Sequence, residues 1–273
     1  MARDLLYGAI IGDIAGSRFE FNNNKSKKGY GLLEEGCFFT DDSVMTCAIA
    51  DAIMHSRPDF SDLKDQAVVS MRLFGRMYPH AGYGKRFIRW LESRHPEPYG
   101  SLGNGSAMRV SPVAYAASSL DETIALSRAV TEVTHNHPEG IKGAEATAVC
   151  VYLARKGYDK DDIGSYVREH YYPLNFTLDE IREEYKFNEL AQFTVPQAIE
   201  AFLESTSFED AIRNAISIGG DSDTLACITG SIAGAYYEIP TAHRWAAGLI
   251  LERALRNVAS EFELYIARRE GNA

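Results

Sequence analysis

The stretch Gly219-Gly220-Asp221-Ser222-Asp223-Thr224 places two carboxylates and two hydroxyls within four residues, directly before an apolar run that begins at Leu225. A helix N-terminus stabilises a nearby anion by about 0.3–1 kcal/mol, which accounts for one or two acidic residues. It does not account for a second cluster of the same kind, Thr40-Asp41-Asp42-Ser43, at the start of another apolar run. We therefore predict that the fold brings the two clusters together, with cations between their carboxylates.

Apolar residues recur at helical spacing on both sides of this stretch and through most of the chain. The predicted helices cover residues 5–14, 42–55, 63–78, 85–93, 120–134, 138–156, 196–203, 208–218 and 225–237, with a last long helix capped by Thr241. Pro196 is predicted to begin its helix, and no segment shows the strict alternation of a strand. The pattern predicts one all-α domain over residues 1–273, an orthogonal bundle of about ten helices around a central binuclear metal cleft.

Glycines at every fourth position from Gly8 to Gly16 leave a bare strip on one face of the first helix, which suits close helix packing or a ligand near the backbone. Two segments elsewhere interrupt the helical pattern. The first helix gives way at Glu20 to a polar loop, residues 17–36. Residues 159–188 are charged and aromatic with two weak helical patterns, so we interpret them as a variable insertion.

Composition excludes several classes of partner. A net charge of −10 and a pI near 5.2 argue against binding to nucleic acid or to an anionic membrane, because both would be repelled. Apolar residues make up 45% of the chain, enough for a folded core. Four widely separated cysteines without zinc-site spacing are typical of reduced thiols in a cytosolic protein. The N-terminus shows neither a signal peptide nor a transmembrane run, so we expect a cytoplasmic protein. We also expect a monomer.

The two acidic clusters offer only oxygen ligands, which favours Mg²⁺, Mn²⁺ or Ca²⁺ over zinc. Their six side chains divide naturally over two ions, with Asp223 as a candidate bridge. The candidate metal ligands are Thr40, Asp41, Asp42, Asp221, Asp223 and Thr224. The alternative is that each cluster is only a helix N-cap.

Three further features have both a functional and a purely structural interpretation. Glu20 is a candidate acid or base, but a solvated surface carboxylate is the usual role of a single glutamate. The loop from Gly100 to Ser106 could bind an anion or a sugar through its exposed amides, or simply connect two helices. His135 could contact a ligand or cap the preceding helix.

Six motifs in order resemble the ADP-ribosylglycohydrolase family, and the resemblance spans nearly the whole chain. They are Gly8-Ala9-Ile10-Ile11-Gly12-Asp13-Ile14-Ala15-Gly16 followed by Glu20, Phe39-Thr40-Asp41-Asp42-Ser43, Gly103-Asn104-Gly105-Ser106-Ala107-Met108-Arg109, Thr134-His135, Thr194-Val195-Pro196 and Gly219-Gly220-Asp221-Ser222-Asp223-Thr224. The resemblance implies an all-α bundle with a cleft for two Mg²⁺, or Mn²⁺, held by the six candidate ligands.

The resemblance also assigns roles within that cleft. It places Glu20 near the scissile bond, so that Glu20, Asp41 and Asp223 are the expected catalytic residues. The expected contacts to the diphosphate and distal ribose are Gly103, Asn104, Gly105, Ser106, Met108 and His135. Residues 159–188 do not align with the family by eye, and any contacts to adenine that they supply are undefined.

The function implied is a Mg²⁺-dependent hydrolase that removes ADP-ribose from a modified protein side chain, cleaving the N- or O-glycosidic bond at the distal ribose. One alternative is a hydrolase of small ADP-ribose derivatives. Another is a noncatalytic ADP-ribose-binding relative, although the presence of all six ligand positions and Glu20 argues against it.

Overall fold

The predicted helices are present in the computed structural model, which describes residues 4–271. The helices are α1 (Tyr7–Ser17), α2 (Asp41–His55), α3 (Leu63–Met77), α4 (Lys85–Glu92), α5 (Ser111–Ala116), α6 (Leu120–Thr131), α7 (Pro138–Arg155), α8 (Lys160–His170), α9 (Leu178–Ile181), α10 (Ala191–Leu203), α11 (Phe208–Ser217), α12 (Ser222–Tyr236), α13 (Thr241–Ile250) and α14 (Arg253–Gly271). Over these residues extended pairing is limited to one antiparallel bridge, between Gly103 and Leu190. The all-α prediction is confirmed.

The glycine strip of α1 packs directly on the backbone of α12. A Cβ added at Gly12 would lie 1.9 Å from the carbonyl oxygen of Ala226, and one added at Gly16 would lie 2.3 Å from that of Ser222. Gly8 meets a still later part of α12 in the same way, so the two helices run antiparallel. The end of α1 therefore lies beside the start of α12, where the acidic cluster begins.

One hydrophobic core holds the bundle together. α1, α7 and α12 are buried on nearly all sides, which explains why their sequences are apolar all round. Outer helices such as α4 and α11 carry polar residues on the face turned to solvent. Within residues 4–271, no helix is both long and apolar enough to cross a membrane.

Most helix ends lie within three residues of the prediction, and two helices differ by more. α10 begins at Ala191 and carries Pro196 inside it, so the prediction that Pro196 begins the helix is wrong. The missing proline N–H removes only the bond to the carbonyl of Gln192, which lies in the partly exposed first turn. The last long helix is divided into α13 and α14 at Leu251, whose extended backbone lets its side chain reach the core.

Residues 171–190 leave the bundle between α8 and α10 and are largely exposed. The only α-helix in this excursion is the short α9. The two weak helical patterns predicted within residues 159–188 correspond to α8 and α9. Its end is fixed to the glycine-rich loop, where the Asn104 N–H donates to the Glu189 carbonyl at 2.8 Å and the Ala191 N–H to that of Leu102 at 3.0 Å.

A buried carboxylate in α10 makes folding stability depend on pH. One carboxylate oxygen of Glu200 is buried without a hydrogen-bond partner, and burial with the nearby Glu204 charge raises the pKa of Glu200 to about 7. The unfolded chain has the lower, ordinary pKa, so this group destabilises the fold increasingly as pH rises from about 4.5 to 7. We expect Glu200→Gln to stabilise the protein by about 1 kcal/mol at pH 8, allowing for solvent screening of a half-buried side chain.

The same substitution should have a much smaller effect at pH 4.5, where Glu200 is protonated in the folded protein and about half protonated in the unfolded chain. Chemical denaturation at the two pH values measures the difference. Exposed Glu261→Gln carries the same charge change and is the control. An equal gain at both pH values would show that the effect of Glu200→Gln is not due to its charge.

Candidate metal centre and active site

The antiparallel packing of α1 and α12 brings the two acidic clusters together. The Thr224 hydroxyl at the start of α12 donates to a carboxylate oxygen of Asp42 at the start of α2, at 3.4 Å. Carboxylate oxygens of Glu20, Asp221 and Asp223 lie within 4.8 Å of one another. The clusters are therefore parts of one site, and a pair of unrelated helix caps does not describe them.

The sharp turn before α12 depends on two glycines. Gly219 and Gly220 have φ values of 68° and 80°, in the left-handed region that side chains disfavour. The side chain of Asn23 accepts from the Gly220 N–H at 2.8 Å and donates to the Gly220 carbonyl at 3.2 Å. The polar loop after α1 thus holds the turn that presents Asp221 and Asp223.

Asp13 organises the other cluster, a role that the sequence analysis missed. It is fully buried and accepts from the Thr40 N–H at 3.0 Å, the Thr40 hydroxyl at 2.7 Å and the Ser43 N–H at 3.1 Å, as well as from the Ser43 hydroxyl. These bonds fix the first turn of α2, from which Asp41 and Asp42 project. The only feature of the sequence that could have indicated this role is the position of Asp13, an acidic residue inside the most apolar helix.

The aspartates fit a divalent cation. Asp42 is 1% exposed, and its second carboxylate oxygen is buried without any hydrogen-bond partner. Burial and the neighbouring carboxylates raise the pKa of Asp41 to about 8, and those of Asp42 and Asp223 well above the ordinary range. Oxygen-only donors that repel one another suit Mg²⁺ or Mn²⁺. Thr40 lies behind this surface, with its hydroxyl bonded to Asp13.

Glu20 lies on the cleft wall beside these aspartates. It is half-buried, and burial followed by the charges of Asp221 and Asp13 raises its pKa to about 7. A carboxyl group that gains and loses a proton near neutral pH is suited to acid–base chemistry. The structure thus places Glu20 among the acidic residues, as the sequence analysis expected.

The glycine-rich loop forms another wall. Asn104 begins a single 3-10 turn, and its side-chain amide donates to Asp221 at 2.7 Å and to Thr194 at 3.2 Å. Gly103, Gly105 and Met108 also line the cleft, whereas Ser106 is buried behind it. The Ser106 hydroxyl donates to a carbonyl of α7 at 2.8 Å, so the structure does not present it to a ligand.

A buried chain of donors reaches His135. Arg109, whose side chain is fully buried, donates to the Thr134 hydroxyl at 2.7 Å, and this hydroxyl lies 2.8 Å from Nδ1 of His135. The Thr134 hydroxyl has two acceptors for its proton, the Thr131 carbonyl at 3.5 Å and Nδ1 of His135 at 2.8 Å. Donation to the nearer Nδ1 is favoured, and this places the proton of the neutral ring on Nε2. Burial and the Arg109 and Arg86 charges hold the pKa of His135 well below its ordinary value. The Arg109 role was also missed.

Together these walls enclose a cleft of about 680 Å³. Of the thirteen residues expected to act in the site, eleven line this cleft, whereas Thr40 and Ser106 lie behind it. The residues lining this cleft include Glu20, Asp41, Asp42, Gly103, Asn104, Gly105, Met108, Arg109, His135, Glu189, Asp221, Asp223 and Thr224.

Several carboxyl groups beside one cleft, with the pKa of Glu20 raised to about 7, are suited to hydrolysis of a glycosidic bond. A family model described as ADP-ribosylglycohydrolase matches residues 1–272. The chain therefore belongs to the ADP-ribosylglycohydrolase family, and it is an enzyme of the ADP-ribosyl hydrolase class.

Curated relatives and a solved structure agree with this assignment. ADP-ribosylhydrolase ARH3 of Danio rerio is 26% identical over 315 aligned residues, covering 87% of this chain and 82% of that protein. ADP-ribosylarginine hydrolase Tri1 of Serratia proteamaculans (strain 568) is 25% identical, covering 98% and 80%. A solved ADP-ribosylglycohydrolase-related protein complex has a TM-score of 0.71 and 26% identity, covering 98% of this chain and 97% of that one.

Proposed function

We propose that this protein is a Mg²⁺-dependent hydrolase that removes ADP-ribose from a modified protein side chain. The observation that carries the proposal is the contact between Asp42 and Thr224, which joins two acidic clusters into one cleft beside Glu20. Membership of the family supports ADP-ribose as the sugar part of the substrate.

The proposed cofactor is a pair of Mg²⁺ ions, with Mn²⁺ as a substitute. The residues proposed to hold them are Thr40, Asp41, Asp42, Asp221, Asp223 and Thr224. The unpartnered buried oxygen of Asp42 supports this ligand set. Such ions supply positive charge and lower the pKa of bound water.

Glu20 is proposed to move the proton that hydrolysis requires. The water oxygen forms a bond to the anomeric carbon of the distal ribose, and the bond from that carbon to the side-chain nitrogen or oxygen breaks. One water proton passes to Glu20 and is returned to the leaving atom, so the products are ADP-ribose and the unmodified side chain. Asp41 and Asp223 are proposed to orient the water.

The diphosphate is proposed to bind at the glycine-rich loop. The Gly103 and Asn104 N–H groups donate within the protein, so the loop is proposed to offer the N–H of Gly105. The Nε2 proton of His135 supplies a further donor, and Arg109 and Arg86 supply positive charge on that side of the cleft. This arrangement explains how a protein of net charge −10 binds a dianion.

Purified protein incubated with ADP-ribosylated proteins carrying arginine or serine linkages should release ADP-ribose in the presence of Mg²⁺. A chelator should reduce the rate by at least about 100-fold, since several kcal/mol of transition-state stabilisation are lost. Release only from small ADP-ribose derivatives would favour the alternative substrate class. Binding of ADP-ribose without release from any substrate would identify a noncatalytic protein.

A further inference from the structure

Two exposed aromatic rings stack at one end of the cleft. The centroids of Phe21 and Phe187 are 6.0 Å apart, with 25° between the ring planes. Phe21 is 86% exposed and Phe187 is 42% exposed, yet both line the cleft. The pair joins the loop after α1 to the excursion between α8 and α10. Apolar rings left open to water beside reacting groups indicate a contact surface for a ligand.

Two carboxylates flank this aromatic pair. Glu20 precedes Phe21, Glu189 follows Phe187 by two residues, and both line the cleft. The two glutamates are close enough for the Glu189 charge to contribute to the raised pKa of Glu20. Over residues 4–271 neither forms an ion pair with a lysine or arginine. We call Glu20, Phe21, Phe187 and Glu189 the acidic mouth.

A series of contacts leads from the acidic mouth to a basic end of the cleft. The Glu189 carbonyl accepts from the Asn104 N–H at 2.8 Å. Asn104 belongs to the glycine-rich loop, whose Gly103 and Gly105 lie beside the His135 ring. The His135 ring centroid is 6.1 Å from that of Tyr99, and the guanidinium of Arg86 lies 4.9 Å above the Tyr99 ring. Charge along the cleft therefore changes from negative to positive.

Building on the proposed function, we infer that the acidic mouth receives the modified residue itself and that this residue is arginine. The dianionic part of the substrate belongs at the basic end, so the leaving side chain lies at the other. An arginine presents a planar cation that stacks on aromatic rings and pairs with carboxylates. A serine presents a neutral oxygen that uses neither feature. The acidic mouth thus selects arginine-linked ADP-ribose.

A binding experiment tests this without depending on turnover. Calorimetry with n-butylguanidinium and with neutral n-butylurea, each added to protein saturated with ADP-ribose, compares a cation with a neutral group of the same shape. We expect the guanidinium to bind at least about tenfold more tightly. Equal affinities would overturn the inference, while failure of ADP-ribose itself to bind would overturn the proposed function.

Matched variants locate the effect. Glu189→Gln should weaken guanidinium binding about fivefold, whereas Glu184→Gln, on the same exposed segment but outside the cleft, should not. Phe187→Leu keeps an apolar side chain but removes the ring face, and should also weaken binding. Phe193→Leu, exposed but outside the cleft, is its control. Unchanged affinity in both cleft variants would overturn the assignment of the mouth.

A kinetic comparison gives the second readout. One peptide sequence is ADP-ribosylated on arginine in one preparation and on serine in the other, and kcat/KM is measured for both. We expect at least about tenfold preference for the arginine linkage, reduced by Glu189→Gln. Hydrolysis of the serine linkage at an equal or higher rate would contradict the inference and leave the proposed function intact.

Discussion

Asp223→Asn is expected to lower kcat for ADP-ribose release about 1000-fold while leaving the metal-free protein at least as stable as the wild type. Asp223 is a proposed ligand, and losing it removes several kcal/mol of transition-state stabilisation. In the metal-free protein the same change relieves repulsion, because Asp223 is buried close to Asp221 and Asp42. The asparagine oxygen can still accept from the Thr224 N–H, as Asp223 does at 3.0 Å.

Activity and thermal unfolding should be measured together, with Mg²⁺ and with chelator. Wild-type protein should gain stability when Mg²⁺ is added, and the variant should gain much less. Glu261→Gln, an exposed change of the same charge, should behave as the wild type. An Asp223→Asn protein that keeps both its activity and its response to Mg²⁺ would show that Asp223 is not a ligand.

Gly12→Ala is expected to destabilise the protein by about 3 kcal/mol and to lower Tm by about 6–12 °C. The added methyl group would lie 1.9 Å from the Ala226 carbonyl, so α1 and α12 must move apart. Because this contact sets the end of α1 beside Asp221, any folded variant should also lose activity through displacement of Glu20. Thermal unfolding and ADP-ribose release measure the two effects.

Gly248→Ala provides a control of opposite sign. Gly248 lies inside α13, and a Cβ there would meet only the Tyr7 hydroxyl at 3.8 Å, an ordinary contact. Since alanine favours a helix over glycine, this variant should gain about 0.5–1 kcal/mol. Equal effects of the two substitutions would show that helix propensity, and not the contact between backbones, determines the result at Gly12.

Local patterns were sufficient to predict most of the fold. α2 follows a Thr40 cap whose hydroxyl accepts from the Asp42 N–H, as capping rules predict. α12 follows the left-handed Gly219-Gly220 turn, and its cap Asp221 makes no side-chain capping bond. The glycine spacing in α1 also predicted a close helix contact. These features succeed because each depends on residues within one or two turns of the chain.

Long-range polar contacts could not be predicted in the same way. The Asp13 carboxylate accepts hydrogen bonds from Thr40 and Ser43 at the start of the next helix. Arg109 donates to Thr134 in the turn that follows α6. Nothing in their own sequence neighbours identifies those partners. Ser106 was expected to contact a ligand, and nothing in the sequence indicated that its hydroxyl donates to the Gly140 carbonyl at the buried start of α7.

The bundle and its entrance are built from different kinds of structure. Asp221 and Asp223 begin a helix whose backbone contacts α1 in the core, whereas Phe187 and Glu189 are exposed on the excursion between α8 and α10. The earlier part of that excursion packs Tyr172, Leu174 and Leu178 into the core, but a substitution at Phe187 or Glu189 disturbs few core contacts. Substitutions at these two positions can therefore change the entrance of the cleft while the helices that hold the aspartates stay in place.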